Sequence, residues 1–126
     1  MAAFKSMHLD GVLRLCTAEG WPTFPADPQR ALRALLAPGA ATVVALDQAD
    51  AVIGFAHALT DGVTAYLAEL LVTPEHRSRG LGRQLIAEVL QQCRVARMDV
   101  ITDTAEGFYE TLPHRCYAGF RLYPQN

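Results

Sequence analysis

No run of the sequence is apolar for long enough to cross a bilayer as a helix, which takes about 20 residues. The opening "MAAFKSMHLD" also lacks the apolar core of a secretion signal. The expectation is a soluble, cytoplasmic protein that engages no membrane. Cysteine is scarce: Cys16, Cys93 and Cys116 are odd in number and far apart. They offer neither a disulfide framework nor a metal-ligand spacing, so a reducing compartment and no bound metal are expected. A basic surplus is missing as well. The formal net charge is -2, where nucleic-acid binders carry an excess of Lys and Arg, so nucleic acid is not an expected partner. What is abundant is apolar side chain. Hydrophobic residues make up 51% of the 126, too many for a disordered chain and enough for one core. A single domain over residues 1–126 is expected.

The chain shows no internal repeat and no low-complexity linker. "FKSMHL" reads as a short strand or a frayed end. Asp10 is placed to cap a helix with Val12, Leu13, Leu15 and Cys16 on one face, ended by Gly20. "WPTFPADP" reads as a loop, because its three prolines forbid a regular helix. Asp27-Pro28 is a helix start, and Ala31, Leu32, Leu35 and Leu36 continue it up to Pro38-Gly39. Three strands follow: Ala41 to Asp47, Ala51 to Thr60 and Val63 to Val72, joined by "QAD" and by the hairpin turn Asp61-Gly62. A helix then carries Leu81, Leu85, Ile86, Val89, Leu90 and Cys93 on one stripe. "MDVIT" reads as a strand, "AEGFYETL" as a short helix, and "RCYAGFRLY" as a last strand with Cys116, Ala118, Phe120 and Leu122 on one face. The helix between "AELLV" and "MDVIT" makes a crossover, so those strands are expected to be parallel. The fold class is therefore α/β of the α+β type: a mixed, mostly antiparallel central sheet flanked by helices.

The stretch "LLVTPEHRSRGLGRQLI", Leu70 to Ile86, points to chemistry. A strand that runs through a glycine turn into a helix presents free backbone N–H groups at the helix start. Those donors and the helix dipole favour an anion. Gly80 and Gly82 let it approach the backbone, and Arg77 and Arg79 add positive charge. A solvated basic turn without a ligand is the bland alternative. The Walker phosphate loop fails, because Gly82 is followed by Arg83-Gln84 rather than Lys-Ser/Thr. The dinucleotide fingerprint is a near miss, with Leu85 where a third glycine belongs and Asp103 near the distance of a ribose-binding acid.

The segment "VTPEHRSRGLGRQLI" closely resembles the acyl-CoA-binding motif of the GNAT (Gcn5-related N-acetyltransferase) family, Arg/Gln-x-x-Gly-x-Gly/Ala, through Arg77, Gly80 and Gly82. Val72, Thr73 and Pro74 match the strand end ahead of that motif, and "GFYETL" resembles the family's later Phe-Tyr element. The resemblance covers the chain from the second strand to its end. It implies a GNAT-like fold, with acetyl-CoA as co-substrate and no metal. The backbone amides of Arg77, Ser78, Arg79, Gly80, Leu81, Gly82 and Arg83 would hold the pyrophosphate, and Leu70, Leu71 and Val72 would pair with the pantetheine arm as with an added strand. Tyr109 matches the family tyrosine that returns a proton to the leaving thiolate.

Glu69 is the first choice for a base that takes a proton from the attacking amine. By alternation it shares a face with Leu67 and Leu71, and a costly apolar setting raises a carboxylate's pKa. A solvated edge carboxylate is the alternative. His57 is a secondary candidate, read first as a hydrogen-bonded core residue. The oxyanion would be supported by a strand N–H such as that of Leu71. Glu19, Trp21, Phe24 and Asp27 in "EGWPTFPADP" suit a cationic acceptor through charge and cation–π contact. The expected partner is a small-molecule or peptide amine, with a second copy of the chain pairing at the last strand to form a homodimer. The sequence departs from the family where Asp103-Thr104 stands for a usual asparagine, and where Gly119-Phe120 comes late. A non-catalytic acyl-CoA-binding module and a small dinucleotide-binding protein remain the other readings.

Overall fold

Four strands pair in chain order into one antiparallel sheet: Ala2–Ala3 (β1), Ala40–Leu46 (β2), Val52–Thr60 (β3) and Ala65–Val72 (β4). The structure, a computed structural model, describes residues 1–125. The helices are Leu9–Glu19 (α1), Thr23–Ala26 (α2), Pro28–Leu35 (α3), Leu81–Cys93 (α4) and Glu106–Glu110 (α5). Short 3-10 turns at Ser6–His8 and Pro74–His76 precede α1 and the glycine turn.

The period-2 pattern of β2 sorts its side chains into two cores. Val44 joins Phe55, Leu71, Val12, Leu15, Cys16 and Leu35 on the face covered by α1 and α3. Val43 and Ala45 join Ala56, Ala58, Leu67, Leu85, Val89 and Cys93 under α4. Phe55 and Leu85 are fully shielded from solvent, and each such side chain contributes about 1.5–3 kcal/mol by burial. The helix-stop glycine Gly20 has φ 81°, and Asp27 caps α3 by accepting from Arg30 N at 3.2 Å. Both follow from the residue types at those positions.

Several expectations change. α1 starts at Leu9, so Asp10 lies in its first turn rather than at the cap. "WPTFPADP" contains the single turn α2, because Pro25 falls in that first turn, where a missing N–H costs no helical bond. In β4 the register steps from His57↔Glu69 to Ala58↔Leu67, leaving Ala68 as a bulge. The bulge resets the alternation. Leu67 therefore points to the α4 core while Leu71 points to the α1 core, and Glu69, two residues from Leu71, lies on the α1 side. Glu69 and Leu67 do not share a face.

"MDVIT" is not a strand. It pairs with β4 through one parallel bridge, Tyr66↔Asp99, in which Leu67 N donates to Asp99 O at 2.9 Å and Asp99 N donates to Ala65 O at 3.0 Å. The bulge at Ala68 follows at once, and the two segments part there. "RCYAGFRLY" is not a strand either. It pairs with no strand and has no regular structure, and Tyr117, Phe120, Leu122 and Tyr123 are 74%, 80%, 88% and 76% exposed.

Candidate active site

The parting of β4 from residues 99–105 opens a cleft of about 470 Å³. Glu69 and Leu70 line one side, Val100 to Ala105 the other, and Trp21 and Tyr109 reach it from α1–α2 and α5. In an antiparallel ladder the N–H and C=O of one residue point the same way. Leu71 O faces β3, standing 3.1 Å from where a Cβ on Gly54 would be, and Thr73 N donates to Ile53 O at 2.9 Å. Leu71 therefore turns its backbone to β3. Leu70 and Val72 turn theirs to the open edge, with Val72 O already accepting from Arg77 Nε at 2.9 Å.

The edge runs into the glycine turn. Ser78 (φ 64°) and Gly80 (φ 80°) take the left-handed conformation. Gly80 is the N-cap of α4 and gives it no side-chain cap, so the amides of Leu81, Gly82 and Arg83 have no helical partner. These are the donors that an anion would meet. The glycines differ in purpose. A Cβ on Gly80 would meet nothing, and its role is the positive φ; a Cβ on Gly82 would stand 3.2 Å from the Phe108 ring. Gly82 thus makes room for α5. The arginines differ too. Arg77 pairs with Glu19 at 2.7 Å, and Arg83 donates to Thr111 O and Oγ1 at 3.2 and 3.3 Å. Arg79 is exposed, with no side-chain hydrogen bond among the described residues. The positive charge expected of Arg77 is therefore already balanced.

Burial pushes the Glu69 carboxyl up to about 7, and no side-chain partner holds it among the described residues. Its charge, after burial itself, helps raise the Cys16 thiol to about 11. Burial, then the nearby Tyr66 phenol, raises Tyr109 above its ordinary value. Tyr109 packs edge-on against Phe108, ring centroids 5.0 Å apart. One aromatic fills the space over Gly82 while its neighbour lines the cleft.

Residues 38–112 match the family described as "Acetyltransferase (GNAT) domain". The chain belongs to the GNAT family. An uncharacterized N-acetyltransferase, ycf52, of Pyropia yezoensis is 28% identical over 120 residues, covering 89% of this chain and 67% of its own length. The solved structure of the aminoglycoside N-acetyltransferase AAC(6')-Iy in complex with CoA superposes with a TM-score of 0.82 at 22% identity, over 98% of this chain and 92% of that one. A GNAT family acetyltransferase of Streptococcus pneumoniae gives 0.74 at 24% identity, over 98% and 96%. These two structures share the GNAT fold.

The GNAT chain thus brings Glu69, Leu70 and Tyr109 to one cleft and places the turn residues 77–83 at the end of the same edge. Of the acceptor-loop residues, only Trp21 lines the cleft. Glu19 holds Arg77, Asp27 caps α3, and Phe24 lies edge-on to His57 at 6.3 Å. Arg121 and Tyr123 also line the cleft. Sequence reasoning passed over both, since they stand in the opposite phase of the alternation that suggested a last strand.

Proposed function

We propose that the chain transfers the acetyl group of acetyl-CoA to a primary amine of a small molecule or peptide. One arrangement carries this reading: the open edge of β4 leads from the cleft holding Glu69 and Tyr109 to the uncapped amides of α4. The CoA complex of the structurally similar AAC(6')-Iy supports it. The amides of residues 78–83 bind the pyrophosphate, that of Arg77 being taken by Pro74 O at 3.3 Å, and the outward backbone groups of Leu70 and Val72 pair with the pantetheine arm. Leu71 is left out, because its backbone serves β3; the oxyanion falls to the N–H of Leu70 instead.

A primary ammonium with a pKa near ~10.4 must lose a proton before it attacks. Glu69, poised at about 7, is partly ionised at neutral pH and takes that proton. The amine nitrogen bonds to the acetyl carbon, the carbon–sulfur bond breaks as Tyr109 gives its phenolic proton to the thiolate, and the second proton shed by the new amide nitrogen restores the phenol. Trp21 offers the amine a ring face.

The antiparallel meander ahead of the turn disfavours a dinucleotide site, which requires a βαβ unit. Calorimetric titration with acetyl-CoA, with NAD and NADP as controls, tests the reading, followed by assay of thiol release with a panel of primary amines. Binding of acetyl-CoA alone with amine-dependent thiol release is expected. Absence of acetyl-CoA binding overturns the proposal, and binding without turnover on any amine reduces it to an acyl-CoA-binding module.

Residues 1–126 act, on this reading, as one acetyltransferase domain in a reducing compartment, for which the free thiols of Cys16, Cys93 and Cys116 speak. The exposed Tyr117, Phe120, Leu122 and Tyr123 support pairing of the C-terminal segment with a second copy of the chain. Light scattering should then show a dimer, and Phe120→Glu with Leu122→Glu should give a monomer; a monomeric parent chain rejects the pairing.

A further inference from the structure

Thr42 on β2 and His57 on β3 form a buried polar chain that the proposed reaction does not use. Thr42 Oγ1 lies 2.9 Å from Leu35 O and 2.9 Å from His57 Nδ1. A hydroxyl has one proton to give. The Leu35 carbonyl can only accept, so it takes that proton. His57 must then donate to Thr42, which places a hydrogen on Nδ1. Burial lowers the His57 ring to about 4, so at neutral pH it carries one proton, and Nε2 is a bare lone pair.

Nε2 has no protein partner among the described residues. No side-chain nitrogen or oxygen fully shut off from solvent lacks a partner there. Nε2 therefore touches solvent. Directly across the ladder stands Glu69. Residues opposed in this way share a face, their Cβ atoms about 5 Å apart. The Glu69 carboxyl is also without a partner, and it opens on the cleft. Two unpartnered groups thus stand at opposed positions on one face of the sheet, one able to carry a hydrogen and one able to accept it.

On the cleft side Asp103, Tyr109, Arg121 and Tyr123 line the same opening as Glu69, while the helices packed on this layer bring no charged group to the pair. α1 contributes Cys16, whose thiol is protonated at neutral pH, α2 the Phe24 ring, and α3 the Leu35 carbonyl. Arg30 and Arg33 of α3 are exposed.

We propose that His57, oriented by Thr42, is a positioning residue for Glu69: its Nε2 accepts, directly or through one water, the hydrogen of the protonated Glu69 carboxyl. This rests on Glu69 acting as the base. The amine proton passes to Glu69 and stays there; His57 receives a hydrogen bond and no proton. The bond turns the carboxyl hydrogen away from the thioester and stabilises the form that Glu69 takes just after deprotonating the amine. Thr42 fixes the tautomer that makes this possible, much as a partner on one ring nitrogen of any histidine decides what the other can do.

The experiment uses the full chain without acyl donor or acceptor. Ring nitrogen NMR reports the His57 tautomer, and carboxyl carbon NMR follows the titration of Glu69. The hydrogen is expected on Nδ1. His57→Asn keeps a donor for Thr42 and deletes Nε2; it should lower the Glu69 midpoint by about half a pH unit or more. His57→Gln returns an acceptor near the Nε2 position and should restore most of that shift. Thr42→Val should let the tautomer change with His57 itself intact, so the proposal stays testable if His57→Asn does not fold. A hydrogen on Nε2 in the parent chain overturns the proposal, and so does an unchanged Glu69 midpoint in His57→Asn. Because no acetyl-CoA is present, failure here is separate from failure to bind or turn over acetyl-CoA.

Discussion

The ring of Phe108 occupies the space that a side chain on Gly82 would need, with Cζ 3.2 Å from the position of a Cβ there. The contact ties the glycine turn to α5, and through α5 to Tyr109. Gly82→Ala trades this crowding against a gain in helix propensity of about 1 kcal/mol, so its stability should stay within about 1 kcal/mol of the parent. Gly82→Val adds two methyl groups at the same place and should cost about 1–3 kcal/mol. Denaturant unfolding of both, and of Gly82→Val with Phe108→Ala, checks this. The double variant should lose less than the sum of its parts.

Glu69 should show itself in activity and stability with opposite signs. As a base, it gives a rate that rises through about pH 7, and Glu69→Gln should abolish that limb and slow turnover by about 10²–10⁴-fold. For stability, the folded value of about 7 lies above the unfolded value of about 4.3. Between them the folded state binds the extra proton, so stability falls as pH rises through this window and stays lower above it. Glu69→Gln removes the penalty. It should melt higher than the parent at pH 8 and level with it at pH 4, and the same difference at both pH values would contradict the burial of Glu69.

Tyr109 is held protonated by burial beyond its usual range. The alkaline limb of the rate should therefore lie above pH 10. Tyr109→Phe should remove it and slow turnover by about 10²-fold or more, leaving the KM for acetyl-CoA near that of the parent. An unchanged rate would strike Tyr109 from the reaction.

Glu19 and Arg77 form an exposed ion pair beside the proposed phosphate site. Such a pair adds under about 1 kcal/mol to stability, yet it neutralises a cation near an anion site. Glu19→Gln should leave melting almost unchanged and tighten acetyl-CoA binding severalfold at low salt, an effect that added salt screens. Arg77→Gln should weaken binding. Titration calorimetry at two ionic strengths decides; tighter binding that ignores salt would rule out the electrostatic account.

The helix boundaries marked by Gly20 and Asp27-Pro28 were legible because a positive φ and an N-cap are local demands that few residues meet. The meander was legible from alternation and turn residues, and the glycine turn from its spacing. The bulge at Ala68 was not, since alanine carries no mark of an unpaired position. That one residue decides which side of the sheet Glu69 shares, and where the chain parts from the Asp99 bridge. The last segment misled for a related reason: alternation reports a surface that would suit a strand, and says nothing about whether the segment is brought alongside a partner edge. Gly82 and Arg77 were noticed for their place in the turn, but their contacts with Phe108 and Glu19 join segments far apart in the chain, and no local pattern encodes them.

Leu70 and Leu71 are neighbours with opposite fates. The Leu71 amide is turned into the ladder against β3, and the Leu70 amide looks out at the parted edge. In deuterated water the two should trade hydrogen at very different rates, the inner one only when β3 and β4 separate and the outer one at nearly every encounter with solvent. A ligand that docks along the edge would slow the outer clock and leave the inner one untouched. Two adjacent backbone hydrogens thus give the protein a built-in comparison between occupancy of its edge and opening of its sheet, readable without an assay of turnover.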